Sequence, residues 1–140
     1  MMPPCTGKLY FQSDHPVGRH TLLVAVPCWV GSLERDIFAL LDTASEWCVL
    51  PPDLAAELEA DLDAVASPSH LHTRFGLLTG SLGRATIRFA AVEGESLAID
   101  ATCFISEDWL GPMVIGWKGC LERMRFGLDS SEEAFYFGAG

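Results

Sequence analysis

The stretch Phe38-Ala39-Leu40-Leu41-Asp42-Thr43-Ala44-Ser45 puts a carboxylate directly after four apolar residues. An ionised Asp buried without partners is costly, so Asp42 needs donors around it or a chemical use. In the structural reading, Asp42 ends a strand and bonds the backbone of the following turn, through Thr43 and Ser45. In the chemical reading, its carboxylate takes or gives a proton as a general base or acid. Asp129 also follows an apolar residue, but Ser130, Ser131, Glu132 and Glu133 come next, and that segment reads as a turn.

Other chemistry finds less support. His15, His20, His70 and His72 do not make a metal spacing; His70 and His72 share a strand face but have no evident third ligand. No Gly-x-Ser-x-Gly elbow accompanies the serines. Cys5, Cys28, Cys48, Cys103 and Cys120 are odd in number and set in apolar segments without a Cys-x-x-Cys pair. They read as reduced, small hydrophobes rather than as a zinc or disulfide framework. No metal or cofactor is expected. Trp29, Trp47, Trp109 and Trp117 are expected in the core or at an interface between subunits.

The elements that would position Asp42 have a period of two. Leu22 to Val30 is an almost unbroken apolar run, a buried strand with Pro27 at an edge or bulge. Ile37 to Leu41 and Trp47 to Leu50 are further strands on either side of Asp42. From Leu97 to Ile105 the odd positions are apolar, which predicts one buried face. Arg84 to Val92 pairs with it through the turn Glu93-Gly94-Glu95-Ser96, and Met124–Leu128 and Ala134–Phe137 form the last pair. One segment reads as helix: it opens at Pro51-Pro52-Asp53, repeats Leu54, Leu58, Leu62 and Val65, and stops at Ser67-Pro68-Ser69. A short helical turn is placed near Gly119 to Arg123. The fold class is all-β, a small closed barrel with one or two short helices.

The 140 residues suit one compact domain, and 49% hydrophobic against 20% charged excludes a disordered chain. The formal charge of -10 argues against nucleic acid and anionic membrane surfaces as partners. No stretch approaches the ~20 apolar residues of a membrane-spanning helix. Met1-Met2-Pro3-Pro4 lacks the basic start and apolar run of a secretory signal, so the expected address is the cytoplasm.

Apolar-apolar-Asp-Thr-x-Ser after a strand, as in Leu40 to Ser45, resembles the active-site region of retropepsin-like aspartic proteases. The second signature of that family, two apolar residues and a Gly before a C-terminal helix, is resembled by Val114-Ile115-Gly116, with Leu121-Glu122-Arg123 following. The ending Arg123 to Asp129 and Phe135 to Gly138 resembles the bacterial single-domain branch. The resemblance covers roughly residues 20 to 138. It divides the chain into an N-terminal segment, 1–20, and a retropepsin-like domain, 21–140.

The resemblance implies an acid-protease barrel with the Asp on a loop beneath a glycine-tipped hairpin, the flap. Phe75 to Gly83, with Gly76, Gly80 and Gly83, is the flap candidate, and Thr79 and Gly80 are its expected substrate-binding residues, together with Ala44. The chemistry needs two carboxylates, and the chain has one Asp-Thr. The implied enzyme is therefore a homodimer that hydrolyses peptide bonds, with Asp42 catalytic in each copy and Thr43 bracing the two loops. Two residues depart from the pattern: Ala44 where the family has Gly, and Trp117 where retroviral members carry a polar residue. An added methyl beside the carboxylates is expected to hamper catalysis. The alternative is a catalytically silent barrel of the same fold that dimerises or binds peptides; a third reading is a monomeric β domain.

Overall fold

A computed structural model describes residues 4–14, 23–73 and 76–140. His15, His20, Leu22, Phe75 and the expected boundary between 20 and 21 lie outside these residues. The described chain is mostly strand. In order the strands are β1 (Gly7–Tyr10), β2 (Gln12–Asp14), β3 (Leu23–Val30), β4 (Ile37–Leu41), β5 (Cys48–Leu50), β6 (Asp63–Thr73) and β7 (Gly76–Phe89), followed by β8 (Glu93–Gly94), β9 (Leu97–Ile105), β10 (Val114–Ile115), β11 (Met124–Asp129) and β12 (Ala134–Ala139). A short helix α1 (Pro52–Glu57) and a single 3₁₀ turn at Leu121–Arg123 complete the described elements.

Eight strands form one sheet in the order β2-β3-β4-β10-β5-β9-β7-β6, and β3 also pairs with β7, which closes it on itself. The other sheet has the order β11-β12-β1-β8. Part of the N-terminal segment thus belongs to the body: Gly7–Tyr10 pairs with residues 134–137 of β12. Around Pro27, β3 is bonded to β4 alone, since β2 covers Leu23–Ala25 and β7 covers Trp29 and Val30. A residue without an N–H is tolerated at such a locally open edge.

Alternation sorts the side chains into two cores. Cys48 and Leu50 of β5, Ala39 of β4, Ile115 of β10 and Cys103 of β9 join the main core, with Phe89, Phe135 and Phe137. Their neighbours Val49, Leu40, Val114 and Phe104 point the other way, into a smaller cluster with Leu71, Leu78 and Leu82 of the β6–β7 hairpin. β9 was expected to have one wet face. That holds at Ala98 and Asp100, but from Thr102 to Phe104 both faces are buried, because β9 there divides the two cores.

The helix is shorter than expected. It opens at Pro52 as the Pro-Pro-Asp signal predicts, but ends at Glu57. Leu54 and Leu58 are buried, whereas Val65 lies in β6 and is exposed. The Asp61 carboxylate accepts from the Ser32 backbone N–H (3.3 Å) and hydroxyl (2.8 Å), pinning the turn after the helix to the β3–β4 loop. From Asp63 onward, pairing with β7 supplies the backbone bonds that a longer helix would have made internally. The expected stop at Ser67-Pro68-Ser69 falls instead at an irregularity of that ladder, between Ala66 and Ser69.

The flap candidate is also redrawn. Residues 76–83 are one arm of the hairpin rather than its turn. Gly80 pairs with Ser69 and Gly83 with Ala64 inside the ladder, whose last described pair is Thr73 with Gly76.

Candidate active site

Asp42 follows β4 directly, and β10 runs parallel beside β4, pairing Val114 with Leu40 and Ile115 with Leu41. The chain therefore leaves two neighbouring strands side by side, at Asp42 and at Gly116. The Asp42 N–H donates to the Ile115 carbonyl at 3.0 Å, and the Leu40 N–H to the Met113 carbonyl at 2.8 Å. Asp42 is half-buried. Its carboxylate accepts the Ala44 N–H at 3.0 Å, and its carbonyl accepts the Ser45 N–H at 3.1 Å. This is the strand-end turn of the structural reading, with Ala44 supplying the donor to the carboxylate. The Ser45 hydroxyl goes elsewhere, to the Trp47 carbonyl at 2.7 Å.

The segment after β10 holds this loop from the far side. Trp117 N–H donates to the Ser45 carbonyl (2.8 Å) and Lys118 N–H to the Glu46 carbonyl (2.7 Å). Gly116 lies so close that a Cβ there would stand 2.1 Å from the Trp47 carbonyl oxygen. Only glycine permits that approach. The two motifs of the sequence thus form one unit of structure.

Thr43 and Ala44 are exposed beside Asp42. Among the described non-glycine residues only Glu133 has a positive φ, of 53°, so Ala44 stands in a conformation open to any L-residue. The departure from glycine costs no backbone strain; what remains is the methyl itself.

Thr79 and Gly80 stand where the hairpin arm leaves β9. Ser81 is the outermost β7 residue paired with β9. The Thr79 carbonyl accepts the Ser106 hydroxyl at 2.7 Å, and the Thr79 hydroxyl lies 3.3 Å from His70 Nδ1 across the hairpin. A Cβ on Gly80 would stand 2.0 Å from the Ile105 carbonyl oxygen. The hairpin reaches the Asp42 side of the sheet through the smaller core, where Leu71 and Leu78 share a cluster with Leu40, Trp47 and Trp109.

Sequence reasoning missed Ser106, which is buried and ties the hairpin arm to β9. It also missed Cys48, whose sulfur accepts the Gly116 N–H at 3.4 Å. Neither side chain carries a pattern of type or spacing that distinguishes it from its neighbours. Among the described residues, no group of three or more His, Cys, Asp and Glu has a geometry that could hold a metal ion. No described helix is long and apolar enough to cross a membrane.

No family model matches the chain, and no curated protein matches its sequence. Among solved structures it is similar to a retropepsin-like aspartic protease from Rickettsia conorii, with a TM-score of 0.59 and 14% identity over 94% of this chain and 98% of that one. It also matches the EIAV protease in complex with the inhibitor HBY-793, with a TM-score of 0.47 and 11% identity over 74% of this chain and 86% of that one. The first of these carries the conclusion that the chain has the small all-β retropepsin-like fold.

Proposed function

We propose that the chain is an aspartic-type endopeptidase whose working unit is a homodimer, with a water held between two Asp42 carboxylates. The observation that carries this reading is the place of Asp42: it leaves β4 beside Gly116 in a retropepsin-like fold, on a loop clamped from both sides. Two facing carboxylates share one proton, because close like charges resist ionising together. The ionised member takes a proton from water as it attacks the peptide carbonyl, and the protonated member donates to the carbonyl oxygen. Thr43, next in the chain, is the residue to brace one loop against the other. Ala44 and the hairpin residues Thr79 and Gly80 flank the path of an extended peptide in this reading.

A second copy is needed because each chain supplies one such carboxylate, and the outer edge of β11 supports a way to hold it. β11 is the last strand of its sheet. Across a two-fold axis at Gly127, an antiparallel β11 pair sets Arg125 opposite Asp129 of the second copy. It also sets Phe126 opposite Leu128, which is 46% exposed. Opposite charges on one face and apolar side chains on the other make this edge complementary to itself.

The silent barrel remains the second reading, favoured by the Ala44 methyl beside the carboxylate. A peptide-library cleavage assay from pH 3 to 8 tests between them. Cleavage is expected on the mildly acidic side, where a carboxylate pair holds one proton, and is lost in Asp42→Asn, which keeps the fold. Equal activity in Asp42→Asn would refute the assignment.

A further inference from the structure

The peptide group that joins Ile115 to Gly116 is held at both ends. Its carbonyl accepts the Asp42 N–H at 3.0 Å. Its N–H donates to the Cys48 sulfur at 3.4 Å. The two bonds belong to one rigid plane, because a peptide group turns as a unit. Cys48 is 0% exposed, on β5 in the main core, so its sulfur is shut off from solvent.

We propose that Cys48 is a positioning residue: its sulfur fixes the plane of the Ile115–Gly116 peptide and, through that plane, the place of Asp42. The effect on rate rests on the proteolytic reading above; the effect on geometry does not.

The thiol serves here because the strand ladder has run out. β10 is two residues long, and its pairing with β5 is limited to Val114 with Val49. The Gly116 N–H lies beyond that pair and is buried, where an unpartnered donor is costly. The close seating of Gly116 brings this donor to the thiol. A Cβ on Gly116 would stand 2.4 Å from the Trp47 carbonyl carbon and 2.9 Å from the Cys48 nitrogen.

One plane then links Cys48 to Asp42. A turn of the peptide that carries the N–H away from Cys48 also carries the carbonyl away from the Asp42 N–H. Donation to the sulfur polarises the peptide as well, and strengthens its carbonyl as an acceptor. The next bond along, from the Trp117 N–H to the Ser45 carbonyl at 2.8 Å, ties the same segment to the far side of the Asp42 loop. Within that loop the Asp42 carboxylate accepts the Ala44 N–H at 3.0 Å, so a shift of the backbone moves the carboxylate with it. A hydroxyl at position 48 can accept the Gly116 N–H as a sulfur does; an alkyl side chain cannot.

Cys28 supplies the control. It is 1% exposed in the same core, and its thiol donates to the Ile37 carbonyl at 3.5 Å, at the end of β4 away from Asp42. Amide exchange is read residue by residue in the native, Cys48→Ala, Cys48→Ser and Cys28→Ala chains. Rates are taken relative to the β7–β9 ladder, so that a general loss of stability cancels. Cys48→Ala should quicken exchange at Asp42 and Gly116 by on the order of tenfold, and Cys28→Ala should not. Cys48→Ser should return both amides close to native rates. Cys48→Val fills the space without an acceptor; it should behave as alanine does, and replaces it should the cavity unfold the chain. In the peptide cleavage assay, Cys48→Ala should lower kcat by up to ~100-fold with KM little changed, again rescued by serine. Equal exchange at Asp42 in Cys48→Ala and Cys28→Ala would overturn the proposal, and so would a serine variant no closer to native than the alanine one. A native chain that cleaves nothing would refute the proteolytic reading and leave the exchange comparison to decide the role of Cys48.

Discussion

The carboxylate of Asp42 is usefully placed only because its surroundings are fixed on both sides. Ala44 N–H holds one oxygen, the Ile115 carbonyl holds the Asp42 N–H, and Gly116 closes against Trp47. At this scale the deciding residue is Ala44. Its backbone is relaxed, so a glycine would bring no release of strain, only the removal of a methyl beside the Asp42 carboxylate. Displacement of the dyad or its water by about 1 Å can cost ~100-fold in rate. Ala44→Gly is therefore expected to raise peptidase activity by up to that order. It should also lower stability by about 0.5–1 kcal/mol through the greater freedom of the unfolded chain. Cleavage rates and thermal melts of the two proteins, side by side, check both signs. A native chain and an Ala44→Gly variant that are equally inert would leave the silent barrel as the better reading.

Among the elements, the β6–β7 hairpin is the one that extends beyond its neighbouring strand in the sheet. Its inner half is fixed by β9 up to Ser81, and beyond that point the arms pair only with each other. Ser106 spans the junction: its hydroxyl donates to the Thr79 carbonyl and accepts the Asp108 N–H at 3.1 Å. Ser106→Ala removes both bonds in a buried place, a loss of about 1 kcal/mol and a few degrees of melting temperature. Amide exchange should quicken selectively over residues 76–81, while β9 is little changed. In the native protein, exchange in the same arm should slow when a peptide or a hydroxyl-bearing transition-state mimic binds, since an extended ligand adds backbone bonds to a strand edge. Uniform exchange in Ser106→Ala would mean that the junction does not set the hairpin. Unchanged protection despite measured binding would remove the hairpin from the substrate path.

For the whole molecule the question is assembly. A net charge of -10 opposes indiscriminate association, so a dimer has to be held by a specific surface. In the proposed dimer the β11 edge would supply two symmetry-related Arg125–Asp129 pairs, each worth roughly 0.2–1 kcal/mol as cross-strand pairs. Turning attraction into repulsion at both is expected to weaken the dimer about tenfold or more. Arg125→Glu alone should therefore shift sedimentation toward monomer. Mixing it with an Asp129→Lys chain should restore the dimer as a heterodimer, because both contacts then join opposite charges. Sedimentation unaffected by Arg125→Glu would place the interface elsewhere. A monomer at high micromolar concentration with peptidase activity intact would refute the two-carboxylate mechanism.

Much of this architecture was legible in the residues. Apolar runs at β3, β4, β5, β9, β11 and β12 appear in the sequence because alternation along a strand is a local property, written by neighbours two apart. Asp42 stood out for the same reason, as a charge ending such a run. Other features depended on contacts between distant segments. The leucine spacing after Pro52 describes a helix equally well to Glu57 or to Val65; only the ladder from Asp63 to Arg84 and the anchoring of Asp61 by Ser32 ended it early. The glycines at 80 and 83 read as a turn, yet they lie in a strand, and Gly80 is demanded by the Ile105 carbonyl 25 residues away in sequence. The insertion of Val114-Ile115 between β4 and β5 and the closure of Gly116 on Trp47 share one cause. Each is a steric fit between surfaces that exist only once the sheet has formed, and no local period records it.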